Sequence, residues 1–201
     1  MHIKKIKNKK RFIRDVLIVV LIYAFVLVLN YFTSLYIQKK FQSPPIVRDW
    51  MCELLPYVKI VWLSELAIIA SVIFVLFWAV KKDWDYIPYI FFLIGVFQLI
   101  RALMIVLTPL GLPLDHYNGL IKWGKDNVMA FGAFPSGHLA YPFLFYLVTK
   151  KRIFIILSLI CAFALLTSRG HYSIDLIGTL LLGFAIYVLG EKHIKKYFIK
   201  S

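Results

Sequence analysis

The chain has 201 residues, of which 61% are hydrophobic and 17% aromatic, and its mean hydropathy is +0.79. Its apolar residues come in long blocks, and a helix needs about 20 of them in a row to cross a bilayer. This composition excludes an ordinary soluble domain and predicts an all-α integral membrane protein. The formal net charge of +14 does not indicate nucleic-acid binding, because the basic residues flank the apolar blocks.

Six apolar segments predict six transmembrane helices in one domain that covers residues 1–201. The first segment is too long for the apolar part of a signal peptide, and no small-residue cleavage site follows it, so we expect it to remain as a span. The fourth and fifth are short, so we expect their ends to extend into flanking residues. The segments are 12–37, 58–80, 86–107, 137–149, 153–167 and 171–189.

The basic residues lie mostly on one side of this six-span arrangement. Of the 24 Lys and Arg residues, 16 lie before or in the first turn of the first span, between spans two and three, between spans four and five, or after the last span. Because Lys and Arg concentrate in cytoplasmic segments, both termini are predicted in the cytoplasm, where these residues would face anionic lipid.

Two long connections fall on the opposite, extracytoplasmic side. Residues 38–57 contain SPP and RDWMCELLP and predict a short interfacial helix. Residues 108–136 contain several prolines and glycines and cannot form a span. Loops of this length within a compact domain are usually lids or binding loops, so we expect the functional site at this membrane edge.

Arg101 lies in FQLIRALMIVLT, towards the outer end of the third span. A guanidinium within a span is expected to face the protein interior or water, and its planar fork matches phosphate oxygens. The alternative is that Arg101 extends to the membrane interface without a functional role.

The stretch PSGH, residues 135–138, begins the fourth span. Ser136 is a favourable N-cap, and Gly137 would let a ligand approach the backbone closely. The N-terminus of a helix attracts anions, so His138 would lie beside a bound anion and could protonate a leaving group. The alternative is a turn followed by an interfacial histidine.

The stretch SRGHYSID begins the sixth span. His171 and Asp175 are four residues apart and share one face of a helix. The carboxylate can therefore orient the imidazole as a nucleophile, and Arg169 adds positive charge two residues earlier. The alternative is that the two side chains only satisfy each other's hydrogen bonds at the membrane interface and have no catalytic role.

Together these residues provide a nucleophile, its orienting group, an acid and fixed positive charge. Phosphoryl transfer depends mainly on positioning and charge stabilisation. If arginines neutralise the phosphate, no metal or other cofactor is needed, and the sequence contains no recognisable metal-ligand cluster.

PSGH and SRGHYSIDLIGT resemble the second and third signatures of the type 2 phosphatidic acid phosphatase superfamily, whose members are six-span lipid phosphatases and phosphotransferases. The resemblance covers about residues 99–178. It implies that His171 forms a phosphohistidine, that Asp175 activates it and that His138 protonates the leaving oxygen. It also implies that Arg169 and Arg101 bind the phosphate, with Ser136 and Gly137 at the same anion site.

Three departures from the phosphatase pattern point to one branch of this superfamily. Only Gly170 separates the serine–arginine pair from His171, the lysine of the first signature is replaced by Ile94, and Ala102 rather than proline follows Arg101. RGHYSID and RALMIVLTPLGLP are similar to the sphingomyelin synthase-related branch, which moves a phospho-headgroup between lipids. The cysteine–glycine–aspartate sequence that precedes SGH in that branch is absent here.

The resemblance therefore leaves two enzymatic functions open, with membrane lipids as substrates in both. A lipid hydroxyl that attacks the phosphohistidine would make the chain a headgroup transferase. Water would make it a phosphatase acting on phosphatidic acid, phosphatidylglycerophosphate, a polyprenyl pyrophosphate or a lipid A phosphate. A non-enzymatic lipid transporter or scaffold is the third alternative, and the oligomeric state stays open.

Overall fold

The computed structural model describes residues 6, 8–41, 45–113 and 134–199. Within these ranges the regular elements are helical, which confirms the all-α prediction, and the short helix predicted in 38–57 is present as α2. Residues 114–133 of the predicted binding loop lie outside the described residues. The elements are α1 (Lys9–Lys40), α2 (Trp50–Leu54), α3 (Val61–Lys82), α4 (Tyr86–Leu107), α5 (Gly137–Thr149), α6 (Arg152–Thr167), α7 (Ser173–Leu189), a π-helical turn (Gly190–Ile194) and α8 (Lys195–Phe198).

In the described part of the chain, four stretches of helix are long and apolar enough to cross a membrane: Lys9–Ile37, Val61–Lys82, Tyr86–Leu107 and Ser173–Phe198. The other two predicted spans form shorter helices, because α5 has 13 residues and α6 has 16. At 1.5 Å per residue these measure about 20 and 24 Å, less than the ~30 Å hydrocarbon core. We expected both helices to extend beyond the predicted segments 137–149 and 153–167. This expectation is wrong for α5, which has the predicted ends, and α6 is longer by one residue only.

The short helix α5 lies at the centre of the bundle and contacts α3, α4, α6 and α7. Its side chains Leu139, Ala140, Leu144 and Phe145 are buried. The helix ends at Lys150, whose left-handed conformation (φ 56°) stops the α-helical hydrogen bonding. Neighbouring helices enclose α5, and of the PSGH turn at its N-terminus the first two residues are buried and the last two are half-buried.

The long helix α1 packs along α4 and exposes many apolar side chains on its other faces. The two helices approach closely at Gly95, where a Cβ atom would lie 2.7 Å from Cγ2 of Ile22. A methyl group at this distance overlaps Ile22, whose β-branched side chain has little rotamer freedom. Gly95 therefore sets the separation between α1 and α4.

We expect Gly95→Ala to lower the thermal stability of the protein in detergent, because this overpacking costs about 1–3 kcal/mol. In an Ile22→Ala background the same substitution should raise stability, since alanine is the better helix former by about 1 kcal/mol. Thermal unfolding of the two single variants and the double variant measures both effects. An effect of the same sign in both backgrounds would contradict the close packing of α1 on α4.

Candidate active site at the N-termini of α5 and α7

Three segments meet at one end of the bundle. Arg101 Nε in α4 donates a hydrogen bond to the carbonyl oxygen of Pro135 at 2.9 Å. The N–H of Ser136 donates to the carbonyl oxygen of Asp175 at 3.2 Å, and Thr179 Oγ1 donates to the carbonyl oxygen of Ser136 at 3.0 Å. The PSGH turn is therefore bonded to α4 and α7, which brings together the predicted residues Arg101, Ser136, Gly137, His138, His171 and Asp175.

The predicted histidine–aspartate pair is present and buried. His171 Nδ1 lies 3.1 Å from Asp175 Oδ2, and the same oxygen accepts the backbone N–H of Tyr172 at 2.9 Å. The Asp175 side chain is fully buried and that of His171 is 6% exposed. With Nδ1 held by the carboxylate, Nε2 is the ring nitrogen available to a substrate, which is the arrangement that a nucleophilic histidine requires.

His138 lies beside this pair. The centroids of the His138 and His171 rings are 5.8 Å apart, and the ring planes make an angle of 71°. The two imidazoles come from different segments, because His138 lies in the first turn of α5 and His171 lies in the turn before α7. A group held between them can be attacked by one ring and protonated by the other.

Arg101 and the N-terminus of α5 place positive charge at the same point. Ser136 is the N-cap of α5, and a Cβ atom on Gly137 would lie 3.4 Å from both Arg101 Nε and Gln98 Nε2. A Cβ atom at these distances would make ordinary van der Waals contacts, so the guanidinium lies close to the backbone at Gly137. A helix N-terminus and a guanidinium, side by side, form a site suited to phosphate oxygens.

Arg169 occupies a neighbouring pocket of about 460 Å³, which Arg48, Asp49, Cys52, Glu53 and Tyr172 also line. Its guanidinium carbon lies 5.3 Å from the centroid of the Tyr57 ring, a distance at which the cation and ring attract each other. The structure thus places Arg169 in a pocket formed with the segment around α2, and the described residues that line this pocket do not include His138, His171 or Asp175.

The segment around α2 also holds the turn that carries His171, which the sequence did not predict. Asp49 Oδ2 accepts hydrogen bonds from the Ser173 N–H at 2.6 Å and the Ser173 hydroxyl at 2.8 Å. The N–H of Val47 donates to the Tyr172 hydroxyl at 3.4 Å, and Cys52 Sγ lies 3.6 Å from the carbonyl oxygen of His171. Three consecutive residues of the turn are therefore bonded to one segment.

The Cys52 thiol can donate to this carbonyl because it is protonated at neutral pH. Burial raises the pKa of Cys52 to about 11. Asp49 is the N-cap of α2 and accepts the Cys52 N–H at 3.1 Å. An aspartate before a short helix is a recognisable capping signal in the sequence, but nothing local in the chain indicates its second partner, Ser173.

Among the described residues, no group of three or more His, Cys, Asp or Glu side chains comes together to form a metal site. No protein-family model matches the chain, and no curated protein is significantly similar to it.

We expect Asp49→Asn to lower thermal stability at neutral pH and to have a smaller effect below about pH 3.8. Burial raises the pKa of Asp49, but the hydrogen bonds from Ser173 and Cys52 outweigh it and leave the pKa below its ordinary value of 3.8. A lowered carboxyl pKa stabilises the fold above the unfolded-state pKa, and that stability is lost as the pH falls through the folded-state value.

The matched control is Glu53→Gln, which removes a carboxylate from the same helix. Glu53 pairs with Arg48 at the surface, and exposed ion pairs contribute little, so this variant should unfold like the wild type at each pH. A constant difference between Asp49→Asn and the wild type from pH 7 to pH 3 would contradict the stabilising role of the ionised carboxylate.

Proposed function

We propose that this chain is an integral membrane enzyme that transfers a phospho-headgroup between lipids through a phosphohistidine on His171. The observation that carries the proposal is the buried pair of His171 and Asp175, whose imidazole lies beside His138 at the N-terminus of α5. The resemblance to the type 2 phosphatidic acid phosphatase superfamily, and to its sphingomyelin synthase-related branch, supports the same chemistry.

In the first step, Nε2 of His171 attacks the phosphorus of the donor lipid. The bond between phosphorus and the lipid oxygen breaks, and His138 donates a proton to that oxygen, so the lipid leaves as an alcohol. Asp175 holds Nδ1–H and stabilises the positive charge that develops on the ring. Arg101 and the amides at the start of α5 stabilise the charge on the phosphate oxygens.

In the second step, a hydroxyl group attacks the phosphorus and the bond to Nε2 breaks. The neutral His138 accepts the proton of the incoming hydroxyl, which restores both histidines. A lipid alcohol as the acceptor completes the headgroup transfer, and water as the acceptor gives hydrolysis. The short spacing between Arg169 and His171 and the replacement of the first-signature lysine by Ile94 favour the transferase.

The proposed topology has six spans, with both termini in the cytoplasm and the site at the extracytoplasmic membrane edge. The helix ends that carry Lys81, Lys82, Lys150, Lys151 and Arg152 lie at the opposite end of the bundle from His171. The positive-inside rule places that end in the cytoplasm. Because α5 and α6 are shorter than the hydrocarbon core, their outer ends, and the site with them, would lie below the membrane surface.

The test of the proposed function uses purified protein in mixed lipid micelles that contain EDTA. One sample receives phosphatidic acid, and a second receives a phospholipid with a fluorescent ceramide or diacylglycerol. A fluorescent phospholipid in the second sample supports the transferase. Inorganic phosphate from the first sample alone identifies a lipid phosphatase. If neither product forms with these lipids or with a polyprenyl pyrophosphate, the proposal fails.

We expect His171→Ala to reduce turnover by at least about a thousandfold, as when a nucleophile that acts with its partners is removed. The wild type, incubated with a headgroup-labelled donor lipid and quenched in alkali, should carry an acid-labile label on His171. His193→Ala is the matched control, because His193 lies in the π-helical turn at the other end of α7. A label that persists in His171→Ala would exclude His171 as the nucleophile.

We expect Arg101→Lys to lower kcat/KM by about 10- to 100-fold, the loss of one charge-assisted hydrogen bond or two. Lysine keeps the positive charge but lacks the planar guanidinium, which can donate to the Pro135 carbonyl oxygen and to a phosphate at the same time. Arg152→Lys, the same exchange at the opposite end of the bundle, should leave kcat/KM unchanged. Equal activity of both variants would show that Arg101 does not contact the phosphate.

A further inference from the structure

A second cavity lies at the end of the bundle opposite His171. The last turn of α3 and the start of α6 border a groove of about 470 Å³, within the range of about 300–1,000 Å³ that is typical of small-molecule sites. We call it the lysine groove. The lining residues that matter for its chemistry are Lys81, Lys82, Lys151, Phe74, Phe77 and Ile153.

The rim of the lysine groove is strongly basic. Lys81 and Lys82 end α3, and Lys151 is the N-cap of α6, so lysines from two separate parts of the chain line one cavity. Among the described residues that line the groove there is no carboxylate. Three like charges repel each other, and a bound anion relieves that repulsion.

The wall of the lysine groove is apolar and exposed. Phe74, Phe77 and Ile153 are 45%, 48% and 38% exposed, and they lie on helix faces that point away from the core. Lys81 Nζ lies 4.1 Å from the centroid of the Phe77 ring, which holds one ammonium group directly above the apolar wall. The cavity therefore joins a cationic rim to a surface that suits hydrocarbon.

The neighbouring Lys150 does not share this environment. Its Nζ lies 4.5 Å from the ring centroid of Tyr187 on α7 and 5.8 Å from that of Tyr146 on α5. Adjacent lysines at the same end of the bundle thus face different helices, and Lys151 is the one that lines the groove. The basic rim of the groove therefore depends on which lysines line it, and not only on the excess of Lys and Arg at this end of the bundle.

We infer that the lysine groove binds the headgroup of an anionic phospholipid, whose acyl chains lie along Phe74, Phe77 and Ile153. Basic pockets between membrane helices bind anionic headgroups by charge and by the apolar contacts of the chains beneath them. The site does not depend on the proposed chemistry at His171, because the groove lies at the start of α6 and the turn that carries His171 follows the end of α6.

The experiment is native mass spectrometry of the protein released from neutral detergent, with phosphatidylglycerol or phosphatidylcholine added at matched concentrations. We compare Lys81→Gln/Lys82→Gln/Lys151→Gln with Lys150→Gln/Lys192→Gln/Lys196→Gln, which removes the same charge from the same end outside the groove. The groove variant should lose phosphatidylglycerol affinity by about a hundredfold, from about fivefold for each lysine near a lipid surface. In the control variant, the affinity for phosphatidylglycerol should fall by less than about tenfold, a tenth of the loss expected for the groove variant.

Equal losses in the two triple variants would overturn the inference in favour of general electrostatic attraction. Equal binding of the two lipids by the wild type would overturn it as well, and so would competition by soluble glycerol phosphate as strong as that by the lipid. As a second measurement on the wild type, phosphatidylglycerol with a photoreactive acyl chain should crosslink to Phe74, Phe77 or Ile153. If crosslinks formed only at other residues, the proposed position of the acyl chains would be wrong.

Discussion

The arrangement of the candidate site depends on one buried carboxylate. Asp175 is fully buried in an apolar bundle, and an ionised group in such a place costs several kcal/mol unless hydrogen bonds compensate it. Its Oδ2 receives the N–H of Tyr172 and faces Nδ1 of His171. The turn before α7 must therefore keep the shape that delivers both groups, and the orientation of the His171 ring follows from it.

The neighbouring segments reinforce this turn from two sides. The backbone of Asp175 accepts the N–H of Ser136, which binds the start of α5 to the start of α7. From the segment around α2, Asp49 accepts both donors of Ser173. Two helix N-termini that are distant in sequence are thus bonded directly to each other.

Local sequence signals predicted the helices and the core of the site. The apolar segments 86–107 and 137–149 coincide with α4 and α5. The four-residue spacing predicted the contact between His171 and Asp175, but not its basis, because His171 lies in the turn before α7 and not on a face of that helix. The contacts of Asp49 could not be predicted, since its partner Ser173 lies 124 residues away in the chain. The position of α5 at the centre of the bundle could not be predicted from hydropathy either. A helix buried among other helices and a helix in contact with lipid both consist mainly of apolar residues.

At position 169, the residue that best suits the backbone conformation differs from the residue that supplies positive charge next to the candidate site. It adopts a left-handed conformation (φ 54°), which costs a non-glycine residue about 1 kcal/mol, whereas glycine adopts it freely. Gly170 follows immediately but does not occupy the left-handed position. A glycine at 169 would suit the backbone better and would remove the cation above Tyr57. Laboratory evolution for heat resistance alone would therefore favour the loss of this arginine, and variants selected in that way should be checked at position 169 before their activity is interpreted.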